Sequence, residues 1–256
     1  AAALGHQIDV GGRSPGSIST DARDVFEEGL LIPAMHLYRG GEIVPEVELF
    51  LTANVRQPEK TLGDIRAEVA AVTMGERRFL ELCERHGAEQ LEDTIAALLD
   101  HSETLMRHDL SLYENGDYHA VGYMDSDGIS EEPVRIEVTV RLRDGSVEVD
   151  FQGSNDQVKG PFNCSMSSVE SAVYCAVRYM VDPQILQNEG CYRPIKITVP
   201  PGSVVNPTKP APLSGRFHTM ERIATTIVSA FNGARGERAV GANHGHLSSY
   251  SLSGRS

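Results

Sequence analysis

The residues best suited to chemistry lie in a glycine-rich stretch near the start of the sequence. His6 and Asp9 stand three residues apart, directly before a Gly-Gly pair and a Pro-Gly turn. Glycine tolerates positive φ and lets the backbone approach a bound group closely. A histidine and a carboxylate at this spacing can bind one metal ion or activate one water molecule. His6 and Asp9 are therefore the candidate catalytic residues, and an Asp that only stabilises the turn beside an exposed His is the alternative.

A metal site needs more ligands than these two, because metal ions in proteins normally bind three or more side chains. The third candidate ligand is His36, which lies in an apolar run. A histidine in such a run also fits a hydrogen-bonded core position. His244 and His246 have chelating spacing near the end of the sequence, where a plain loop is the alternative.

A second polar loop offers residues for substrate binding. Arg193 could hold an anionic group of the substrate, because a guanidinium binds carboxylates through two parallel hydrogen bonds. Asn188 precedes it in the same loop and is the second candidate. A structural salt bridge is the alternative role for Arg193 in so acidic a protein. Cys191, between the two, is the one thiol whose setting merits a test of reactivity.

The composition narrows the classes of partner. The 256 residues carry a formal net charge of -13, and 40% of them are hydrophobic. Phosphate binding requires clustered Lys and Arg, so nucleic acid and anionic membranes are excluded as main partners. The sequence contains no GxxxxGK(S/T), so it predicts no P-loop for ATP. Four scattered cysteines without a CxxC pair favour reduced thiols in the cytoplasm, and no apolar run reaches the roughly 18 residues of a membrane span.

Amphipathic helices dominate the predicted first half of the chain. Apolar residues at three- and four-residue steps predict one helix from Pro58 to about Gly87 and another from about Ala88 to Leu112. The apolar stripe of each helix is predicted to be buried. The apolar run 27–38 is predicted to be a buried extended segment.

Strands dominate the second half. Apolar and polar residues alternate over 134–142 and 147–151, and the Asp144-Gly145 turn between them predicts a β-hairpin. We therefore predict an α+β fold, with paired amphipathic helices followed by mixed strands, a β-hairpin and packed helices. The whole chain, 1–256, is predicted to be one partial domain, with a sub-boundary near residue 115 as the alternative.

Several loops together resemble the hydantoinase B family, which also includes one half of 5-oxoprolinases and the alpha subunits of acetone and acetophenone carboxylases. The match covers nearly the whole chain in the order of the family, and family members are about twice as long, so the chain is expected to be an internal fragment. The residues that carry the resemblance include His6-x-x-Asp9-x-Gly11-Gly12-x-x-Pro15-Gly16-Ser17, Glu28-Gly29-Leu30-x-Ile32-Pro33, Asn54-Val55-Arg56-x-Pro58, Asp150-Phe151-x-Gly153-Ser154 and Asn188-Glu189-Gly190-Cys191-Tyr192-Arg193-Pro194-Ile195.

The resemblance implies a subunit of an ATP-dependent hydrolase that opens a cyclic amide such as a hydantoin or 5-oxoproline. It implies a hetero-oligomer with a hydantoinase A-type subunit, and that partner binds the ATP. It also implies a divalent metal (zinc, manganese or iron) at the His6 and Asp9 loop. The position of the next histidine ligand in the family holds Leu31 here, which cannot bind a metal. The chain therefore binds metal weakly, uses His36 instead or belongs to a metal-free branch.

Two other functions remain open from the sequence. The same resemblance is compatible with an alpha-type subunit of an ATP-dependent carboxylase that acts on a ketone. It is also compatible with a catalytically silent chain that serves in assembly, and Leu31 is the feature that favours this third interpretation.

Overall fold

The computed structural model describes residues 1–7, 9–234, 239 and 241. These fall into two compact units, which we describe separately. Among the described residues, the first comprises Ala1–Ser19 and Phe26–Asp93, and the second comprises Thr20–Val25 and the residues from Thr94 to Gly241. The mixture of helices and strands confirms the predicted α+β class. The single 1–256 domain and the sub-boundary near residue 115 stay predictions.

The first unit contains a short hairpin and two consecutive helices. Strands β1 (Tyr38–Arg39) and β2 (Glu42–Ile43) pair in an antiparallel manner around a Gly-Gly turn. Helix α1 (Pro45–Asn54) and helix α2 (Pro58–His86) each begin with a proline, whose fixed φ suits the first turn of a helix. Helix α2 matches the predicted bounds closely, because proline and glycine mark its two ends.

The predicted burial of the apolar stripes is wrong for much of this region. Phe79 and Leu82 on α2 are 48% and 40% exposed. In the run 27–38, Leu31 and Ile32 are 42% and 50% exposed. Periodicity shows that a helix face is apolar, but it does not show that another described element covers that face.

The second unit is built on a four-stranded sheet in the order β3-β4-β5-β6. The strands are β3 (Gly116–Met124), β4 (Val134–Arg143), β5 (Ser146–Asp150) and β6 (Ile195–Thr198). The first three are antiparallel, and β6 is parallel to β5. The predicted hairpin is confirmed, since Asp144 and Gly145 adopt φ of 44° and 77° in the turn between β4 and β5.

Helices cover one face of this sheet. They are α3 (Ala88–Ser111), which belongs to this unit from Thr94 on, α4 (Met166–Arg178), the short α5 (Glu189–Tyr192) and α6 (Arg216–Asn232). Helix α6 packs on β3 and β4, and α4 packs on α6. The largest side chains with no solvent exposure include Phe151, Phe231, Met106, Ile136 and Val138.

The other face of the sheet is polar. Arg141 pairs with Asp150 at 2.8 Å, and Lys196 pairs with Glu148 at the same distance. These ion pairs cross between neighbouring strands, as the alternating pattern predicts. Among the described helices, none combines the length and apolar character that crossing a membrane requires.

Candidate functional site

The glycine-rich loop is held against the segment that follows it. The N–H of Arg13 donates to the carbonyl of Glu27 at 2.7 Å, and the N–H of Leu30 donates to the carbonyl of Val10 at 2.9 Å. The two bonds join the loop to residues 27–30. A Cβ on Gly12 would lie 2.7 Å from the Glu27 carbonyl oxygen, so this contact requires glycine.

Asp9 anchors this loop. This residue is only 4% exposed, and its carboxylate accepts hydrogen bonds from the N–H of Gly11 at 2.9 Å and of Gly16 at 2.8 Å. Burial raises the pKa of Asp9, but these two hydrogen bonds and the charge of Arg56 more than offset it, so the pKa is held below its ordinary value. Asp9 is therefore an anionic acceptor at neutral pH.

Arg56 belongs to the motif Asn54-Val55-Arg56-x-Pro58 that carries the family resemblance, but the sequence alone assigns it no role. It follows the end of α1 and precedes the proline that begins α2, which fixes its position. One nitrogen, Nη1, donates to both Asp9 carboxylate oxygens at 3.0 and 3.2 Å and to the carbonyls of Gly11 and Ser14 at 3.0 and 3.1 Å. The other, Nη2, donates to the Gly12 carbonyl at 2.5 Å. The signal in the sequence was an arginine confined between two helices.

His6 lies beside the anchored loop with an exposed side chain. Its neighbour Gln7 donates from Nε2 to Oε1 of Glu68 on α2 at 3.0 Å, which ties this part of the backbone to the helix. No described residue hydrogen-bonds to the His6 ring. The imidazole is thus available to exchange a proton with a substrate or a water molecule, and the catalytic assignment of His6 and Asp9 stays a prediction.

The described residues do not fit a metal centre at this loop. Both oxygens of Asp9 already accept hydrogen bonds from Arg56 and from backbone N–H groups. His36, the other predicted ligand, has an exposed side chain. Within the described part of the chain, no three His, Cys, Asp or Glu side chains are grouped to hold a metal ion. We therefore derive no catalytic step from a metal, and His244 and His246 lie outside the described residues.

The two predicted substrate-binding residues are tied to α3. Arg193 forms ion pairs through Nη1 with Asp100 at 2.7 Å and with Glu103 at 3.1 Å. Asn188 accepts the N–H of Gly190 at 3.0 Å and donates to the hydroxyl of Ser102 at 2.8 Å. These contacts give both residues a structural role, and their binding of substrate stays a prediction.

The loop also contains a Gly-x-Ser-x-Gly pattern. The stretch 12–16 reads Gly-Arg-Ser-Pro-Gly, which has the spacing of a nucleophile elbow. In such an elbow the serine stands on a sharp turn between a strand and a helix. The structure has turns and bends here, without a strand before Ser14 or a helix directly after it. The pattern therefore lacks the setting that would expose Ser14 as a nucleophile.

The family model described as hydantoinase B/oxoprolinase matches residues 1–256. One relative is a provisionally named D-/L-hydantoinase chain of the B type from Pseudomonas sp. (strain NS671). It is 34% identical over 237 residues, which is 88% of this chain and 40% of the relative. The beta subunit of caprolactamase from Pseudomonas jessenii is 30% identical over 252 residues, which is 98% of this chain and 43% of the relative. The chain thus spans less than half the length of these relatives.

Solved structures share this fold. The crystal structure of the ATP-dependent caprolactamase from Pseudomonas jessenii superposes with a TM-score of 0.84 and 29% identity, over 91% of this chain and 41% of that one. A nucleotide-free acetone carboxylase superposes with a TM-score of 0.82 and 19% identity, over 91% of this chain and 33% of that one. At that identity the second likeness concerns the fold alone.

Proposed function

Because the chain belongs to the hydantoinase B/oxoprolinase family, we propose that it is part of an ATP-dependent enzyme that opens a cyclic amide ring. The observation that carries the proposal is the similarity to caprolactamase. Its beta subunit is 30% identical in an alignment that covers 98% of this chain, and its crystal structure has the same fold. A relative named as part of a hydantoinase supports the same class of reaction.

The proposed chemistry starts from the low reactivity of an amide. A cyclic amide is a poor electrophile, so ATP is used to phosphorylate its oxygen. Water then adds to the activated carbon, the bond between carbon and ring nitrogen breaks, and the nitrogen takes up a proton. A second water releases the phosphate. A general base that accepts the proton of the attacking water contributes about 10²–10⁴ to the rate of such a step.

Within this scheme, the loop residues have different tasks. We assign the general base to His6, whose exposed imidazole has no described hydrogen-bond partner. Asp9 is a positioning residue, because its carboxylate binds the loop backbone and Arg56. Replacement of either residue is expected to impair ring opening, Asp9 through the shape of the loop and His6 through proton transfer.

The proposed enzyme is a cytoplasmic hetero-oligomer. Its ATP is held by a hydantoinase A-type partner, in keeping with the lack of a P-loop motif in this sequence. Hydantoins and 5-oxoproline are the proposed substrates, and the named relatives add caprolactam to the compounds worth assaying. Both relatives are named as one chain of a larger enzyme, which supports the presence of a partner.

The test uses the full-length protein together with its A-type partner. ADP release and the ring-opened product are measured with a hydantoin, 5-oxoproline and caprolactam as substrates. We expect the His6→Ala enzyme to lose about 10²–10⁴ in turnover, whereas the matched change His108→Ala, at an exposed position on α3, leaves it intact. Full turnover in the His6→Ala enzyme would refute the role of His6.

The same assay separates the rival functions. ATP hydrolysis that requires both bicarbonate and a ketone would replace the hydrolase by a carboxylase, whose fold this chain shares. If the complex consumes ATP but His6→Ala and Asp9→Asn have no effect, the chain serves in assembly rather than in catalysis.

A further inference from the structure

Arg56 lies in a cage of oxygen atoms of the kind that proteins offer to cations. We propose that its guanidinium is the resident cation of this cage, formed by Asp9, Gly11, Gly12 and Ser14, and that the loop holds its conformation without a divalent metal. A corollary is that removal of the guanidinium turns the cage into a site for a hard cation such as Ca²⁺. The inference is independent of which reaction the enzyme performs.

The composition of the cage suits a cation. Five oxygens converge on the guanidinium, two from the carboxylate of Asp9 and three from the carbonyls of Gly11, Gly12 and Ser14. Carboxylate and carbonyl oxygens in this mixture are the ligands that Ca²⁺ prefers. The loop thus presents to Arg56 the same chemistry that a calcium loop presents to its ion.

The distances between Arg56 and the cage oxygens favour a guanidinium over Ca²⁺ as the resident cation. The nitrogens of Arg56 stand 2.5–3.2 Å from the five oxygens, and most of these contacts are 3.0 Å or longer. Oxygen ligands of Ca²⁺ lie closer, at roughly 2.3–2.6 Å. With Arg56 in place, the cage is therefore spaced for N–H donors: the two hydrogens of Nη1 are shared among four oxygens, and Nη2 donates to the fifth.

The charge of Arg56 compensates that of Asp9 without a metal ion. Asp9 is almost fully buried, and a buried carboxylate requires a compensating cation or hydrogen-bond donors. Arg56 supplies that cation, with Nη1 at 3.0 Å from one carboxylate oxygen of Asp9. A divalent ion that bound Asp9 would have to displace Arg56 from the carboxylate and from three carbonyls. The loop therefore needs no metal for its shape.

The experiment compares the full-length wild-type protein with Arg56→Met, which keeps an unbranched apolar chain but removes the cation. Thermal melting and hydrogen exchange of the peptide 9–17 are measured in EDTA and in excess CaCl₂. For the wild type we expect the same Tm and the same exchange in both. For Arg56→Met we expect a Tm lowered by several degrees and faster exchange in EDTA, with CaCl₂ restoring at least half of both losses.

Two controls assign the effect to the cage. Arg66→Met removes a surface arginine that pairs with Glu48, and it should show no response to CaCl₂. The double variant Arg56→Met with Asp9→Asn removes the carboxylate, and CaCl₂ should no longer rescue it. If Arg56→Met does not fold, Arg56→Lys replaces it in the experiment. One ammonium group cannot serve all five oxygens, so hydrogen exchange of 9–17 should still be faster than in the wild type.

The proposal is overturned by either of two results. One is a wild-type protein that contains a stoichiometric divalent metal by elemental analysis and whose 9–17 segment exchanges faster in EDTA. The other is an Arg56→Met protein, or its Arg56→Lys substitute, that melts and exchanges as the wild type does. The first result would show a metal in the cage, and the second would show that the guanidinium does not hold the loop.

Discussion

A Cβ atom on Gly190 would lie 1.9 Å from the carbonyl oxygen of Leu99, so α5 rests directly on the backbone of α3. We predict that Gly190→Ala destabilises the protein, because a backbone carbonyl cannot move aside as a flexible side chain can. Overpacking of this kind costs about 1–3 kcal/mol of the free energy of unfolding. Urea denaturation of the variant and the wild type measures the difference.

Gly63 provides the matched control for this change. It lies within α2, and a Cβ built there has no heavy atom within 4 Å. Gly63→Ala should leave stability unchanged or raise it by up to about 1 kcal/mol, since alanine favours helix more than glycine does. Equal stability of the Gly190 and Gly63 variants would contradict the close packing of α5 on α3.

A second prediction concerns Asn188, whose side chain caps α5 and binds Ser102. Asn188→Ala should cost about 0.5–2 kcal/mol, the usual effect of losing an N-terminal cap. The KM of the intact enzyme should not change if the role is purely structural. A raised KM at unchanged stability would instead support the substrate-binding role that the sequence suggests. Lys196→Gln, which removes an exposed ion pair of the sheet, serves as the comparison for assay and stability.

A third prediction uses Asp127, which is 2% exposed and accepts N–H groups from Ile129, Ser130 and Gly160. Burial raises the pKa of Asp127, but these hydrogen bonds more than offset it, so the pKa lies below the ordinary value of 3.8. The stability that Asp127 contributes is therefore complete above pH 3.8 and is lost as the pH falls through the folded-state pKa.

The variant Asp127→Asn tests this dependence. Its amide would point an N–H group at a backbone N–H, so at pH 7 we expect a loss of about 1–3 kcal/mol. The difference in unfolding free energy between wild type and variant should shrink when the pH is lowered below 3.8, because the wild type then loses its own contribution. A difference that stays constant from pH 7 to pH 2.5 would disprove the linkage.

A fourth prediction concerns the thiols. Cys175 is exposed, whereas Cys164 and Cys191 are fully buried, and burial raises the pKa of the Cys164 thiol to about 12. Iodoacetamide at pH 8 should therefore label Cys175 at least tenfold faster than Cys164 in the native protein, since the thiolate is the reactive form. Peptide mapping by mass spectrometry gives both rates.

The outcome for Cys191 decides whether its loop creates a reactive thiol. Its sulfur donates to the carbonyl of Asn188 at 3.0 Å and has no contact with solvent. We expect Cys191 to react as slowly as Cys164 in the native state and as fast as Cys175 after unfolding in urea. Rapid labelling of native Cys191 would show that the loop opens.

The local parts of the fold were predictable because single residues determine them. Pro58 and Gly87 mark the ends of α2, and Asp144 with Gly145 sets the turn of the β4–β5 hairpin. These signals act within a few residues and do not depend on the rest of the chain.

The candidate site was only partly predictable, because its contacts join residues that are far apart in the sequence. His6 and Asp9 were recognisable as reactive types, but the partner of Asp9 is Arg56, far away along the chain. Such a contact depends on where α1 ends and on the path of the glycine loop. The exposure of Leu82 on α2 shows the same limit, because an apolar face does not identify what packs against it.

The parallel pairing of β5 and β6 affects how the sheet is assembled during folding. The antiparallel strands β3, β4 and β5 follow one another closely, whereas Val147 on β5 pairs with Ile195 on β6, after α4 and α5 have intervened. Closing such a long loop costs chain entropy before the pairing returns any stability. We expect the three-stranded meander to form first and β6 to dock late, so the β5 edge of the sheet stays open on the growing or refolding chain until the helices have packed.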